Sequence, residues 1–144
     1  MNPKEFKKIL VGVDDSQDAQ LAFRYAMNRA KNDGASLVIV TVSENDDMNV
    51  YQALSKDYVN EKHKRLMQHI AKYQQVAEQF GVKDVSTVVA QGNPGKVIVD
   101  EVIKDVQPDL LVIGAQAKSG IEKHFGSQAA YMAKYASISV LVIR

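Results

Sequence analysis

The stretch from Val112 to Gln128, VIGAQAKSGIEKHFGSQ, follows a run of apolar residues and carries three glycines and two serines. Backbone N–H groups in a loop that leads into a helix N-terminus attract anions, and glycine lets the backbone approach an anion closely. Gly114, Gly120 and Gly126 would supply that close approach, Ser127 a hydroxyl, and Lys118, Lys123 and His124 positive charge. The chemistry implied is the holding of phosphate. No Gly-Lys-Ser or Gly-Lys-Thr closes the segment as a Walker A loop, and it lacks the Gly-x-Gly-x-x-Gly dinucleotide fingerprint. A glycine-rich strand-to-helix connection with Ser127 as helix cap has the same residues, so spacing alone leaves both readings open.

A second cluster lies in VGVDDS, where Asp14 and Asp15 follow an apolar run. Paired acids at the end of a strand suit a metal or a ribose, whereas Asp15 and Ser16 can equally serve only to start a helix. A phosphorelay receiver has an acidic pair at this point, but its aspartate acceptor after the third strand and its lysine after the fifth have no counterpart here, and that reading is rejected. Three histidines, His63, His69 and His124, invite a search for a base or a metal site. His63 and His69 fall on or near the apolar stripe of a long helical pattern, where packing or solvent exposure explains them. There is no nucleophile elbow and no His-Glu-x-x-His, so no catalytic constellation is predicted.

Two kinds of segment alternate to position these residues. Short β-branched runs occupy 8–13, 36–42, 85–90, 109–114 and 137–144. Most are apolar on both faces, as in strands buried between helical layers of a parallel sheet, while the third alternates and is expected near an edge. Between them lie helical patterns. The first runs from a Ser16 cap to about Lys31 with Leu21, Ala22, Tyr25, Ala26 and Ala30 on one stripe, closing through Gly34. The second, from about Val50 to Phe80, repeats Val59, His63, Leu66, Ile70, Tyr73, Ala77 and Phe80 and stops at Gly81. The third opens with Asn93 as cap and Pro94 at its first position and ends near Val106. The last starts from Ser127 and ends near Tyr135. The sum predicts an α/β fold, a single open five-stranded parallel sheet covered on both faces, whose ligands sit above the carboxyl ends of the strands. The polar connection 44–49 is the expected mobile loop.

Composition sets the bounds. At 144 residues one domain over 1–144 is expected. With 46% apolar and 24% charged residues the chain resembles an average globular domain. Eighteen basic against seventeen acidic residues give a formal charge of +1, without the basic excess of a nucleic-acid binder. The absence of cysteine excludes disulfides and thiolate chemistry. The apolar stretch after MNPKEFKK meets Asp14 before a signal-peptide core forms, and no run approaches the ~18 residues of a membrane span. A cytoplasmic protein without membrane contact is expected.

Over essentially its whole length the chain resembles the universal stress proteins of the UspA type. The resemblance rests on KILVGVDDS at the start, GNPG before the third helix, PDLLVIGA into the glycine-rich loop, and GSQAAYMAKYASISVLVIR at the end. It implies sheet order 3-2-1-4-5 and, in the nucleotide-binding branch, ATP held by its phosphates at a Gly-x2-Gly-x9-Gly-Ser/Thr loop; Mg2+ accompanying the nucleotide would sit between Asp14 or Asp15 and the phosphates. Gly114 then matches the first glycine, and Gly126 with Ser127 the final pair, with Gln128 beside them. Asp14 matches an aspartate near adenine and ribose, and Val42 a residue whose backbone meets adenine. Ala117 stands where the second glycine belongs, and eight residues rather than nine separate it from Gly126. A homodimer through the last strand is implied as well, and a long apolar edge strand invites such pairing. The expected function is that of a homodimeric stress-response protein binding ATP or a related adenine nucleotide as a regulatory ligand. The alternative is a nucleotide-independent module that recruits protein partners through the same fold, which the shortened loop favours. Slow ATP hydrolysis ranks behind both, because no residue positions an attacking water.

Overall fold

The structure, a computed structural model, describes residues 5–44, 50–116 and 126–144. The apolar runs form five strands: β1 (Lys8–Gly12), β2 (Ser36–Ser43), β3 (Val85–Gln91), β4 (Leu110–Gly114) and β5 (Ser139–Ile143). All neighbours pair in parallel, in the order β3-β2-β1-β4-β5. β3 is an edge strand, as its alternation implied, and β5 is the other edge.

The connections are helical. α1 (Gln17–Asp33) starts at Ser16, whose Oγ accepts from the Ala19 amide at 3.1 Å, and ends at Gly34 in the left-handed conformation. Its buried stripe is Ala19, Ala22, Phe23, Ala26, Met27 and Ala30, whereas Leu21, expected inside, is exposed. Phe23 and Met27 continue the spacing of the alanines at i+3 and i+4, and Leu21 falls about a quarter turn away.

The long second pattern is two helices. α2 (Val50–Leu54) and α3 (Lys56–Phe80) are separated at Ser55, whose extended backbone lets its side chain accept from the Tyr58 amide. A serine that caps a new helix interrupts the old one, because the cap residue must leave helical dihedrals. On α3 only Ile70 and Ala77 of the predicted stripe are fully buried. Phe80 stays partly exposed beneath the Lys31 ammonium, 4.9 Å from its ring centre.

Residues 94–106 run as α4 (Pro94–Val97), a π turn (Ile98–Val102) and α5 (Ile103–Val106), opened by Asn93 as predicted. α6 (Ser127–Tyr135) completes the chain before β5. Its N-cap is Gly126 rather than Ser127, because Gly126 is extended at φ −66° and ψ 151° and its own amide bonds the Ala115 carbonyl. Ser127 is therefore the first helical residue.

The core lies in two layers. Ile9, Val11, Leu37, Ile39, Leu110 and Val112 face α1 and α3 on one side of the sheet. Leu10, Val38, Val40, Leu111 and Ile113 face the 94–106 helix and α6 on the other. A carboxylate fastens the amino-terminal edge, where both oxygens of Asp109 accept from the Lys7 and Lys8 amides at 2.8 and 3.0 Å. The opposite edge is left open between β1 and β4. There the connections diverge to the two sides, which is where open α/β sheets form their crevices.

Candidate functional site

A cleft of about 570 Å³ occupies that crevice. Its floor is the carboxyl end of β1, β2 and β4, including Gly12, Val42 and Gly114, and its walls come from α3 and α6. Asp14, Val42, Gly114, Gly126, Ser127 and Gln128, singled out from the sequence, all line it. Ala117, Lys118, Gly120, Lys123 and His124, like residues 45–49 of the polar connection, lie outside the described residues.

Three helices begin at this cleft, and their first-turn amides are treated differently. At α1, Ser16 caps the Ala19 amide, and Oδ1 of Asp14 accepts from the Ser16 amide at 3.0 Å. At α4, Asn93 accepts from the Lys96 amide, and Gln128 reaches across from α6 to accept from the Gly95 amide at 2.8 Å. Among the described residues no side chain caps α6. Its intrahelical bonds begin with the Ala130 amide to the Gly126 carbonyl, which leaves the amides of Ser127, Gln128 and Ala129 without an intrahelical acceptor. Those donors, together with the helix dipole, make this rim of the cleft electropositive.

The glycines have packing reasons of their own. A Cβ on Gly114 would lie 2.7 Å from the Ala19 amide nitrogen and 2.8 Å from the Asp18 carbonyl carbon. Only glycine lets the end of β4 pass the first turn of α1. Gly126 keeps a negative φ and donates its amide to Ala115 at 2.6 Å, so its N–H already has a partner within the chain.

The two acids of VGVDDS diverge. Asp14 turns its carboxylate back onto the Ser16 amide at the cleft wall. Asp15 adopts the left-handed region at φ 67°, which costs a non-glycine residue about 1 kcal/mol or more, although aspartate tolerates it better than most. Its Oδ1 accepts from the Tyr73 hydroxyl at 2.7 Å and lies 2.7 Å from Nε2 of His69. Tyr73 packs edge-on against both Phe23 and His69. Burial, reinforced by the hydrogen bond to Asp15 and by the charges of Asp15 and Asp14, pushes the Tyr73 hydroxyl above the usual phenol range, so it stays a donor. His69 and Tyr73 were not singled out as site residues. Their spacing of four places them on one face of a helix, but only the fold brings that face to Asp15. His63 is exposed and borders a smaller pocket of about 150 Å³ between α3 and β3, which shares Ser43, Lys62 and Leu66 with the cleft.

The cleft lining combines the first-turn amides of α6, which have no acceptor among the described residues, with an aspartate and apolar groups such as Val40, Ile113 and Met132. Among the described residues no three His, Cys, Asp or Glu side chains converge as metal ligands, and no helix is long and apolar enough to cross a membrane.

Comparison with known proteins agrees with this architecture. A protein of Staphylococcus epidermidis, provisionally named a universal stress protein, is 33% identical over 96% of this chain and 84% of its own. The universal stress protein UspA of Lactobacillus plantarum superposes with a TM-score of 0.85 at 25% identity, covering 99% of this chain and 100% of that one. Two further folds match, a universal stress protein solved with cAMP (TM-score 0.73, 24% identity, 98% of this chain and 99% of that one) and one from Archaeoglobus fulgidus solved with dAMP (0.68, 20%, 98% and 100%). The family profile of the universal stress proteins matches residues 5–144. The chain belongs to the universal stress protein family.

Proposed function

We propose that the cleft binds ATP or a related adenine nucleotide as a regulatory ligand, without efficient turnover, in a cytoplasmic homodimeric stress-response protein. The observation that carries this reading is the contrast among the three helix starts: α1 and α4 have side-chain caps, whereas among the described residues no side chain caps the first turn of α6 at the cleft. An uncapped N-terminus at a strand-to-helix crevice is where a phosphate is stabilised by both N–H groups and dipole. The Ser127 and Gln128 amides and the Ser127 hydroxyl are its donors, and Gly114 and Gly126 set the path of the chain there. Asp14 takes the ribose, and the backbone at Val42 takes the adenine edge. Mg2+ accompanies a polyphosphate. That two relatives of the same fold were solved with cAMP and dAMP supports an adenine ligand. Replacing Gly126 and Ser127 by bulky residues is expected to abolish the rise in melting temperature that nucleotide produces, and an unchanged rise would exclude this end of the cleft.

β5 is a sheet edge whose Val140, Leu141, Val142 and Ile143 are only half-buried in the single chain. Pairing of two copies through it satisfies the open backbone groups and covers those side chains. A second reading, a nucleotide-independent module, is favoured by α2, which exposes Val50, Tyr51 and Leu54 together. Direct titration with nucleotide separates the two.

A further inference from the structure

The link between α3 and the turn after β1 goes beyond the nucleotide reading, on which it rests. The turn from β1 into α1 has two consecutive acids, and the left-handed backbone at Asp15 sends their carboxylates to different partners. The Asp15 carboxylate is held by α3, through the Tyr73 hydroxyl and the His69 ring, both 2.7 Å from the same oxygen. These groups lie 54 and 58 positions further along the chain, so no local sequence preference supplies them. Tyr73 is itself fixed by edge-on contact with Phe23 of α1, 5.0 Å between ring centres. Asp14 is thus set between the Ser16 amide on one side and an anchored neighbour on the other.

We infer that Asp15, His69 and Tyr73 form a clamp whose task is positional: it fixes Asp14 at the nucleoside end of the cleft, so that α3 sets the affinity for the ribose and base. Asp15 and Tyr73 need not touch the ligand for this. The conformational freedom that the clamp removes in the free protein is freedom that binding would otherwise have to remove.

Three variants separate position from fold. Asp15→Gly relieves the left-handed backbone but deletes the anchored carboxylate. Asp15→Asn tolerates the same backbone and keeps an oxygen acceptor. His69→Leu with Tyr73→Phe leaves the turn's own residues unchanged and removes its donors. Calorimetric titration of each with AMP and with adenosine is the readout, beside the thermal midpoint. Asp15→Gly and the double variant are expected to weaken both ligands by the same factor, about threefold to tenfold, the cost of ordering on binding a side chain that the clamp no longer holds. The ratio of AMP to adenosine affinity stays constant, because the phosphate end is untouched. Asp15→Asn retains most of the affinity. Wild-type affinity in Asp15→Gly or in the double variant overturns the clamp, as does a loss confined to AMP. A wild-type protein that binds neither ligand overturns the nucleotide reading and, with it, the clamp.

Discussion

The Gly95 amide donates to Oε1 of Gln128 at 2.8 Å, and a Cβ on Gly95 would lie 2.7 Å from that same oxygen. The start of α4 and the start of α6 are therefore joined by one side chain that fits only over a glycine. Because the colliding atom is the far end of a flexible side chain, Gly95→Ala displaces Gln128 rather than the backbone. The expected loss is about 1 kcal/mol, that of one hydrogen bond, measured by urea unfolding. Nucleotide affinity should fall with it, since α6 loses a fixed neighbour.

Gly114→Ala is expected to be worse. There the added methyl meets the backbone of Ala19 and Asp18 in the first turn of α1, which cannot rotate away. Overpacking of this kind costs about 1–3 kcal/mol, and the upper part of that range is expected in urea unfolding. A midpoint equal to the wild type would show that β4 and α1 are not in close contact.

Acid should weaken the link between the amino-terminal segment and α1. Burial alone would push the Asp33 carboxyl up, but the Arg29 guanidinium at 2.8 Å and the Phe6 amide at 3.0 Å outweigh it and hold the carboxyl below its ordinary range. A lowered folded value means that the contribution is complete above the unfolded value, about 3.9, and is lost as pH falls through the folded one. Asp33→Asn is expected to flatten the fall in stability below about pH 4 in denaturant titrations at stepped pH.

Deleting residues 139–144 should remove the proposed dimer contact. Light scattering is expected to report a monomer for chains that remain folded by circular dichroism. A folded, dimeric deletion variant would refute pairing through β5.

Much of this was legible in the residues themselves. Parallel strands follow from runs apolar on both faces, and Asn93, Pro94, Gly34 and Gly81 marked helix boundaries that the structure reproduces. Where the reading slipped, a local preference had two solutions. Leu21 is as apolar as Phe23, and only the packing of α1 on the sheet decides which is buried. Ser55 sits inside a good helical pattern, yet its hydroxyl competes for the Tyr58 amide and divides the helix. Gly126 took the cap position from Ser127 because its amide is drawn to Ala115, a contact made across the connection and invisible to spacing. Asp14, Gly114, Gly126 and Ser127, which line the cleft, were marked in the sequence because glycine, serine and aspartate at strand ends are local signals. The Asp15, His69 and Tyr73 cluster was not, because it joins residues from two different crossovers, one on each side of β2 in the chain.

The most direct measurement is calorimetric titration of freshly purified, nucleotide-free protein with ATP and with AMP, run beside the variant with Gly126 and Ser127 replaced. Saturable heat near one ligand per chain in the wild type, absent from the variant, is the expected result. No heat with either nucleotide would contradict the account and move the search to protein partners.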